Sequence, residues 1–532
     1  MVRTYSSNSA ILDGYYIYIH PFFPILPAPA RVPRDHYQVR LQTQIDEFDD
    51  NFKPSSPLSL AIAAILALIP CAEDAVHADR ESVVFRRTYC QYLAQATVEG
   101  IEMETEIPVS SIEPQRALET DEAMPRAPVN PSLPLELESI VALDILSVYE
   151  YAQRGNMKRM QSRAGQALVA AMAQSLHLKG RADEFSEARR RVWWMTYVCV
   201  CQGSIVGNSK PTFEVFSSSF TQTFPTLKID PEAFPHFIQA QQAILSATEF
   251  VVELNRALGS QADMTRIFDR MRELEAFLDG LNSQAESWTL SASTTSPMEP
   301  SEEVLSRSLR CMARIKINSA RIKVHRYCAF FDIPVFTKRH CDLNPAKSAD
   351  MDEPRHWPSC PCSSLSSASS APSIATRSDS PHSTPPPAMM PFSSHESAKI
   401  CLRSALNIAQ AFDKLPFPNP AGQRCERGAP CYLSPVSSIV APRTMPSFAC
   451  CAMQCAYALL MVRHKTHALY PPGATSSALA DSLLGRVQRG LASILATLEN
   501  YATAFEALGG MRDQIRSAID AADTHPNNSR GM

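Results

Sequence analysis

The chain of 532 residues is short of most features that classify a protein at a glance. It has 17 glycines against 41 prolines, a balance that excludes collagen and points to proline-dense connectors. No sign of charge dominates. The 50 Lys and Arg residues face 54 Asp and Glu residues, a net charge of −4, so no whole-chain basic field exists to hold DNA and nucleic-acid contact is confined to a local patch. The two most apolar stretches, 58–70 and 448–462, fall short of the roughly 20 residues that span a bilayer, and the second contains Gln454. No membrane span is expected. The chain shows no leading charged segment followed by an apolar run, and its 15 cysteines are an odd number. Reduced thiols and an intracellular protein are therefore expected rather than a disulfide framework. A dinucleotide fingerprint, a Walker loop, a Gly-x-Ser-x-Gly elbow and a His-Glu-x-x-His pair are all missing, and the stretch from Gly203 to Lys210 lacks phosphate-loop spacing. Catalysis loses its usual points of entry.

What is present is core material and helical period. Hydrophobic residues make 45% of the chain and charged residues 20%, both near the globular norm. The aromatic cluster from Gly14 to Ala30 reads as a helical turn or two docked on a core. Pro57 starts an alanine- and leucine-rich helix that Pro70 closes, a second helix covers Ser82 to Thr97, and six prolines between Glu104 and Pro134 mark a surface loop. From Leu135 the periodicity predicts three central helices. The first ends at Gly155. The second, near Lys158 to Leu178, places Ala164, Leu168, Ala171 and Met172 together. The third runs from a Ser186 cap through Val192 to Val206, apolar on nearly every face. Further helices are predicted at Glu232 to Leu258, Met264 to Trp288, Glu302 to Phe330, after a Ser393–Glu396 capping box, at Phe448 to His464, and at Ser477 to Leu508 with a stop at Gly509 and Gly510. None of these spans carries a period-2 strand pattern, so the fold class expected is all-α. Residues Asn344 to Ser393, rich in Ser and Pro, cannot bury enough apolar surface to offset chain entropy and are expected to be disordered.

Candidate chemistry is sparse. Cys360 and Cys362, Cys425 and Cys431, and Cys450, Cys451 and Cys455 form small groups, but zinc sites usually bring two pairs spaced by two to four residues. Only the last group, through Cys455, offers such a gap. It sits in an apolar helix, where core packing is the reading, as for Cys199 and Cys201. Arg307, Arg310, Arg314 and Arg321 align on the helix Glu302 to Phe330 opposite an apolar stripe. That face suits phosphate or an acidic partner, and the plainer reading is a solvated face. Arg189, Arg190 and Arg191 precede Trp193 and Trp194, where their stems are expected to lie over the rings.

The order of segments resembles the middle homology region, or fungal transcription factor domain, of the Zn(II)2Cys6 binuclear-cluster regulators. The matching pieces are Tyr15 to Leu26, the helix from Ser56 to Leu68, Leu143 to Leu178, and above all EARRRVWWMTYVCVCQGSIVGNSKP from Glu187 to Pro211. In the last piece Arg190, Arg191, Trp193, Trp194, Tyr197, Ser204, Gly207 and Pro211 carry the motif as structural residues. The likeness covers roughly Gly14 to Phe224. It implies a large irregular helical regulatory domain over 1–341, a disordered insert over 342–395, C-terminal helices over 396–520 packing on the same domain, and a disordered tail over 521–532. Two departures stand out. The family's DNA-reading module needs Cys-x2-Cys-x6-Cys twice, and this chain has no Cys-x2-Cys. Val200 stands where relatives commonly place an aspartate.

The function implied is that of a nuclear transcription regulator, without catalysis, controlling a gene set such as a metabolic pathway. It would act through effectors, other transcription factors or co-regulators, and as a homodimer in one version. DNA enters by resemblance only, and zinc only with a cluster encoded upstream of Met1. Ser380-Pro381 and Thr384-Pro385 are proline-directed sites where phosphate would change the charge of the insert. The alternatives are a helical enzyme of secondary metabolism using His20, His177 or His325 as acid or base, and a protein that sequesters a regulator.

Overall fold

In a computed structural model of the chain, residues 1–41, 52–106, 112, 114–117, 126–180, 182–211, 213–260, 263–288, 300–331, 333, 390–422, 429–470 and 478–524 are described. Ser380, Thr384, Cys360, Cys362 and Cys425, with most of the expected insert, lie outside them. The regular structure of the described residues is almost all helix, and the fold class is all-α. The exception is a short antiparallel pair, β1 (Val2–Tyr5) with β2 (Tyr37–Arg40), which the sequence pattern does not foretell. Four-residue strands at the chain's start carry too little period to be seen. The pair is pinned by Arg3, which is 1% exposed: it donates to the Pro70 carbonyl at 2.9 Å and the Asp35 carboxylate at 2.7 Å beneath the Tyr37 ring.

The aromatic opening forms α1 (Asn8–Gly14) continued by a π-helical turn, Tyr15–Ile19. Its rings face inward, and the Tyr15 hydroxyl, 3.0 Å from the Phe23 carbonyl and 3.1 Å from the Leu26 amide, folds the proline segment back. Gly14 is required here, since a Cβ would lie 2.7 Å from Leu66. Next come α2 (Pro57–Ala67), buried at every position, and α3 (Arg80–Thr105), longer than expected at both ends. A single turn, α4 (Pro114–Ala117), follows, then α5 (Glu138–Ala152), α6 (Met157–Ala173) and α7 (Ser186–Gly207). Helix α6 buries Met160, Ala164, Ala167, Leu168 and Ala171 but leaves Met172 39% exposed, so Met172 is off the predicted face.

The remainder is α8 (Ala233–Ser260), α9 (Thr265–Ser287), α10 (Pro300–Phe330), α11 (Ser394–Lys414), α12 (Ala449–Leu469), α13 (Ala478–Ala502) and α14 (Glu506–Thr524). The predicted stop at Gly509 and Gly510 is wrong. The break falls at Thr503 to Phe505, where Phe505 is fully buried, and both glycines lie inside α14, which runs past the expected tail boundary to Thr524. Helix α10 packs on α8, α9, α11 and α12, while α7 packs on α5, α6 and α8. The C-terminal helices return to the N-terminal ones: the Glu506 amide donates to Gln153 at 2.9 Å, and the Thr444 hydroxyl donates to the Tyr18 carbonyl. One apolar core runs through all of them.

Candidate functional site

Two buried helices hold the residues singled out by sequence. The first is α7. Trp193 is fully buried and Trp194 is 6% exposed. Both rings are covered by the segment 213–227, with Phe220 centred 5.1 Å from Trp193 and Phe224 4.5 Å from Trp194. Two of the polar tips meet backbone, Trp194 Nε1 donating to the Thr223 carbonyl at 3.0 Å and the Tyr197 hydroxyl to the Val215 carbonyl at 3.2 Å, while the buried Trp193 Nε1 makes no hydrogen bond. The segment thus closes on α7 like a clasp, and the His177 carbonyl accepts from Thr221 and Gln222 to hold it. Ser204 is buried, and its carbonyl accepts from the left-handed Asn208 and from Ser209 to end the helix. At Gly207 a Cβ would meet the Gln161 amide nitrogen at 2.7 Å. Pro211, half-buried, follows this close.

One expectation for α7 needs correction. Ser186 is the first helical residue, not the cap: its hydroxyl pairs with Asp183, whose carboxylate also accepts from the Phe185 amide. The three guanidinium heads are bound away from the tryptophan rings. Arg189 pairs with Asp183, Arg190 with Glu187, and Arg191, 2% exposed, reaches the Leu26 carbonyl at 3.1 Å beside the Phe234 ring. One turn before Val200, α7 meets a buried carboxyl: Asp144 on α5 accepts from the Thr196 hydroxyl, and burial pushes that carboxyl up to about 8.

The second is α10, and here the four arginines do not share one exposed face. Arg310 and Arg321 are 9% and 5% exposed. Arg310 forks onto Asp230 at 3.0 and 2.6 Å, while Arg321 pairs with Glu275 and, at 3.0 Å, with Asp279. Arg307 pairs with Glu303, and Arg314, half-buried, lends its carbonyl to Asn318. For Arg310 and Arg321 neither the phosphate-binding nor the solvated-face reading survives, because that part of α10 is enclosed. Between the arginines, Lys316 donates to Gln241 of α8, Asn318 to Asn282 of α9 at 3.1 Å, and Ser319 to Gln454 of α12. Asn407 of α11 donates to Asn318 at 3.3 Å. One helix is thus joined through buried polar groups to α8, α9, α11 and α12.

The three candidate histidines are scattered. Burial, with Arg191 nearby, pulls His20 well below the ordinary range, so its imidazole stays neutral at neutral pH. His177 packs against Trp193 and Phe220. His325 is fully buried and, against the expectation of a lone imidazole, has partners. Its Nδ1 lies 3.2 Å from Ser397 Oγ and its Nε2 3.0 Å from Glu275. The order hydroxyl, imidazole, carboxylate is that of a hydrolytic relay, yet Ser397 is fully buried too and Phe392 stacks edge-on against the imidazole at 4.9 Å. The array pins α9, α10 and α11 together.

Sequence pattern points to neither Asp230 and Glu275 nor Ser397, because their partners lie 46 to 80 residues away. Among the described residues no group of three or more His, Cys, Asp or Glu side chains is placed to hold a metal ion, and no helix is long and apolar enough to cross a membrane. A small cavity between α5, α6 and α7, lined by Phe23, Val148, Met160, Val198, Gln202 and neighbours, has a volume of only about 10 Å³, which is water-sized rather than ligand-sized. Comparison with protein families, with curated proteins and with solved structures finds no match.

Proposed function

We propose that this chain is a nuclear transcription regulator whose helical body acts through contacts with other transcription factors or co-regulators and not by catalysis. The family resemblance of residues 14–224 motivates the reading. The observation that carries it in the structure is the junction of α10 and α11. The Ser394 hydroxyl donates to the Ala329 carbonyl at 3.3 Å, the Cys328 thiol to Met390 at 3.7 Å, and His325 meets Ser397. The described residues on either side of the Ser/Pro-rich segment therefore meet at one point, and that point is the end of the polar helix that touches α8, α9, α11 and α12. A partner or a phosphate on the segment acts on the helix with the most internal connections. DNA contact belongs to a partner or to a module outside these residues.

The test is a fusion of the full chain to a heterologous DNA-binding domain with a reporter. A several-fold rise or fall in transcription is expected. A fusion that is silent alone but blunts a co-expressed regulator would favour the sequestering role, and silence in both formats would end the proposal. One observation favours a second reading, the helical enzyme: the Ser397–His325–Glu275 order. Labelling of Ser397 by a fluorophosphonate would support it. Full burial of that hydroxyl argues that no label is incorporated.

A further inference from the structure

Helices α11 and α13 meet along a short seam. Gly490 of α13 permits the approach, since a Cβ there would stand 3.5 Å from Leu406 of α11 and 3.0 Å from Leu459 of α12. Three residues on, the Ser493 hydroxyl lies 3.3 Å from the Ala409 carbonyl and 2.6 Å from the Asp413 carboxylate. Contacts that advance together along both chains make the two helices parallel. One turn earlier the register sets Leu402 and Arg403 beside Arg486, and a turn before that it sets Lys399 beside Ser482. Lys399, Arg403, Arg486 and Arg489 are all exposed, and none of the four forms an ion pair among the described residues. The carboxylates at the borders do not neutralise them. Glu396 accepts from the Ser393 amide and hydroxyl at 3.0 and 2.8 Å, Asp413 is held by Ser493, and Asp481 stands alone in the first turn of α13.

The groove is therefore positive, and it has an apolar end. Leu479, 82% exposed, and the half-buried Leu483 share the face of Arg486, two turns and one turn before it. Four cations without aromatic rings between them match nucleic acid poorly. A phosphate brings close to two charges and three acceptor oxygens, which guanidinium groups grip in a fork. A short chain with phosphate beside proline would satisfy both ends of the groove, and this protein holds one: Ser380-Pro381 and Thr384-Pro385, followed by Pro386, Pro387 and Met389. The chain returns to the described residues at Met390, and Ser393 caps α11. Six residues lead from Thr384 to Met390 and ten from Ser380, which allow at most about 20 and 35 Å of extended chain. Helix α11 rises about 14 Å from Ser394 to Arg403. Both hydroxyls are within reach of the groove.

We propose that the groove between α11 and α13 is the docking site for the Ser380–Thr384 stretch of the same chain once those two residues carry phosphate. A proline-directed kinase supplies the group from ATP: the serine or threonine oxygen bonds to the γ-phosphorus, the bond to the β-phosphate oxygen breaks, ADP leaves and the hydroxyl proton passes to solvent. The phosphates then bridge Lys399 and Arg403 of α11 to Arg486 and Arg489 of α13, and the prolines that follow meet Leu479 and Leu483. Without phosphate the stretch from 377 to 384 carries only Arg377 and Asp379, which cancel, so nothing draws it to a positive groove. Phosphorylation thereby turns a free tether into one that joins α11 to α13. What this does to transcription rests on the regulator reading; the docking itself does not.

The test uses the purified full-length chain and a fluorescent peptide spanning residues 377–393, with or without phosphate on Ser380 and Thr384, followed by anisotropy. The doubly phosphorylated peptide should bind about tenfold tighter than the plain one, and added salt should narrow the gap. The double variant Arg486→Gln, Arg489→Gln, with helix content checked by circular dichroism, should erase the preference. When the chain itself is phosphorylated by a purified proline-directed kinase, it should no longer take up the phosphopeptide, and acetylation of Lys399 should slow several-fold while that of Lys158 on α6 keeps its rate. Equal binding of the two peptides, unchanged acetylation of Lys399, or a phosphopeptide that ignores the double variant would overturn the proposal. So would tighter binding of a duplex oligonucleotide or of anionic lipid vesicles, which would give the groove a different occupant. The first two outcomes are read on the unmutated chain, so they decide even where a variant does not fold. A silent reporter fusion would count against the regulator reading alone, because no readout here is transcription.

Discussion

Helices α7 and α10 are both enclosed, but by opposite means. Around α7 the enclosure is aromatic, with Trp193, Trp194, Phe213, Phe220 and Phe224 packed in a chain of ring contacts and the Trp194 tip tied to the Thr223 carbonyl. Around α10 it is polar, built from Arg310, Lys316, Asn318, Ser319, Arg321 and His325, each bound to a side chain of another segment. Apolar packing is tolerant of partner identity so long as volume is kept. A buried charge accepts only its own counterion. Helix α10 therefore fixes which helices meet and in what register, while α7 supplies the dry mass against which they press.

The largest effect expected follows from removing a counterion. Glu275→Ala leaves Arg321 and His325 without their shared carboxylate and should destabilise the fold by about 3–5 kcal/mol in urea unfolding. The added change Arg321→Met should recover part of that loss, because an uncompensated buried charge costs more than an absent pair. A double variant as damaged as the sum of the singles would show that the pair is not a unit and that the contrast with α7 is only compositional. Trp193→Ala comes next, about 3–5 kcal/mol as well, while Trp193→Phe should cost much less. If conservative replacement at Trp193 costs as much as truncation, the tolerance argued for α7 fails.

These two helices also show what the sequence could disclose. The enclosure of α7 was legible, because apolar residues on nearly every face leave no solvent side. So were α2, the Ser393–Glu396 capping box and the all-α class, since each depends on neighbours within a few positions. Helix α10 was misread as amphipathic with an outward basic face. Its arginines look solvated until Asp230 and Glu275, 80 and 46 residues away, are brought against them. The same distance hid the hydroxyl and carboxylate beside His325. The missed β-pair and the misplaced break near Phe505 have the same origin in tertiary packing that overrides local preference.

Between the two helix types stands Asp144, a polar group set in the apolar enclosure. Its carboxyl is pushed up to about 8 by burial, against the lowering bonds of Thr196 and Cys199. An unfolded aspartate titrates near ~4, so between those values the folded chain keeps a proton that the unfolded chain has released. Stability contributed by this group is present at low pH and is lost as pH rises through that window, levelling off above it. Asp144→Asn should flatten that slope, on the order of a few kcal/mol across the window, and should be relatively more stable at pH 8 than at pH 5. Melting curves at the two values check this. A variant whose slope matches the parent would mean that the proton is not held at Asp144.

The smallest effect tests whether the polar connections of α10 carry strain to their neighbours. Ser393 caps α11, accepting from the Glu396 amide at 3.1 Å while Glu396 accepts from the Ser393 amide at 3.0 Å. Ser393→Ala removes one half of that exchange and should cost about 1 kcal/mol. The site lies four residues before Ser397, so a frayed first turn of α11 loosens the hydroxyl that meets His325. Hydrogen exchange should then quicken at the amides of 394–398 and, through His325, in the last turns of α10. The start of α7, held by Asp183 and Ser186, should keep its rate. Faster exchange confined to α11 would separate the cap from the polar helix and reduce the α10–α11 junction to simple packing. Exchange that spreads into α7 would show that the aromatic and polar enclosures respond as one body, and the division between them would lose its meaning.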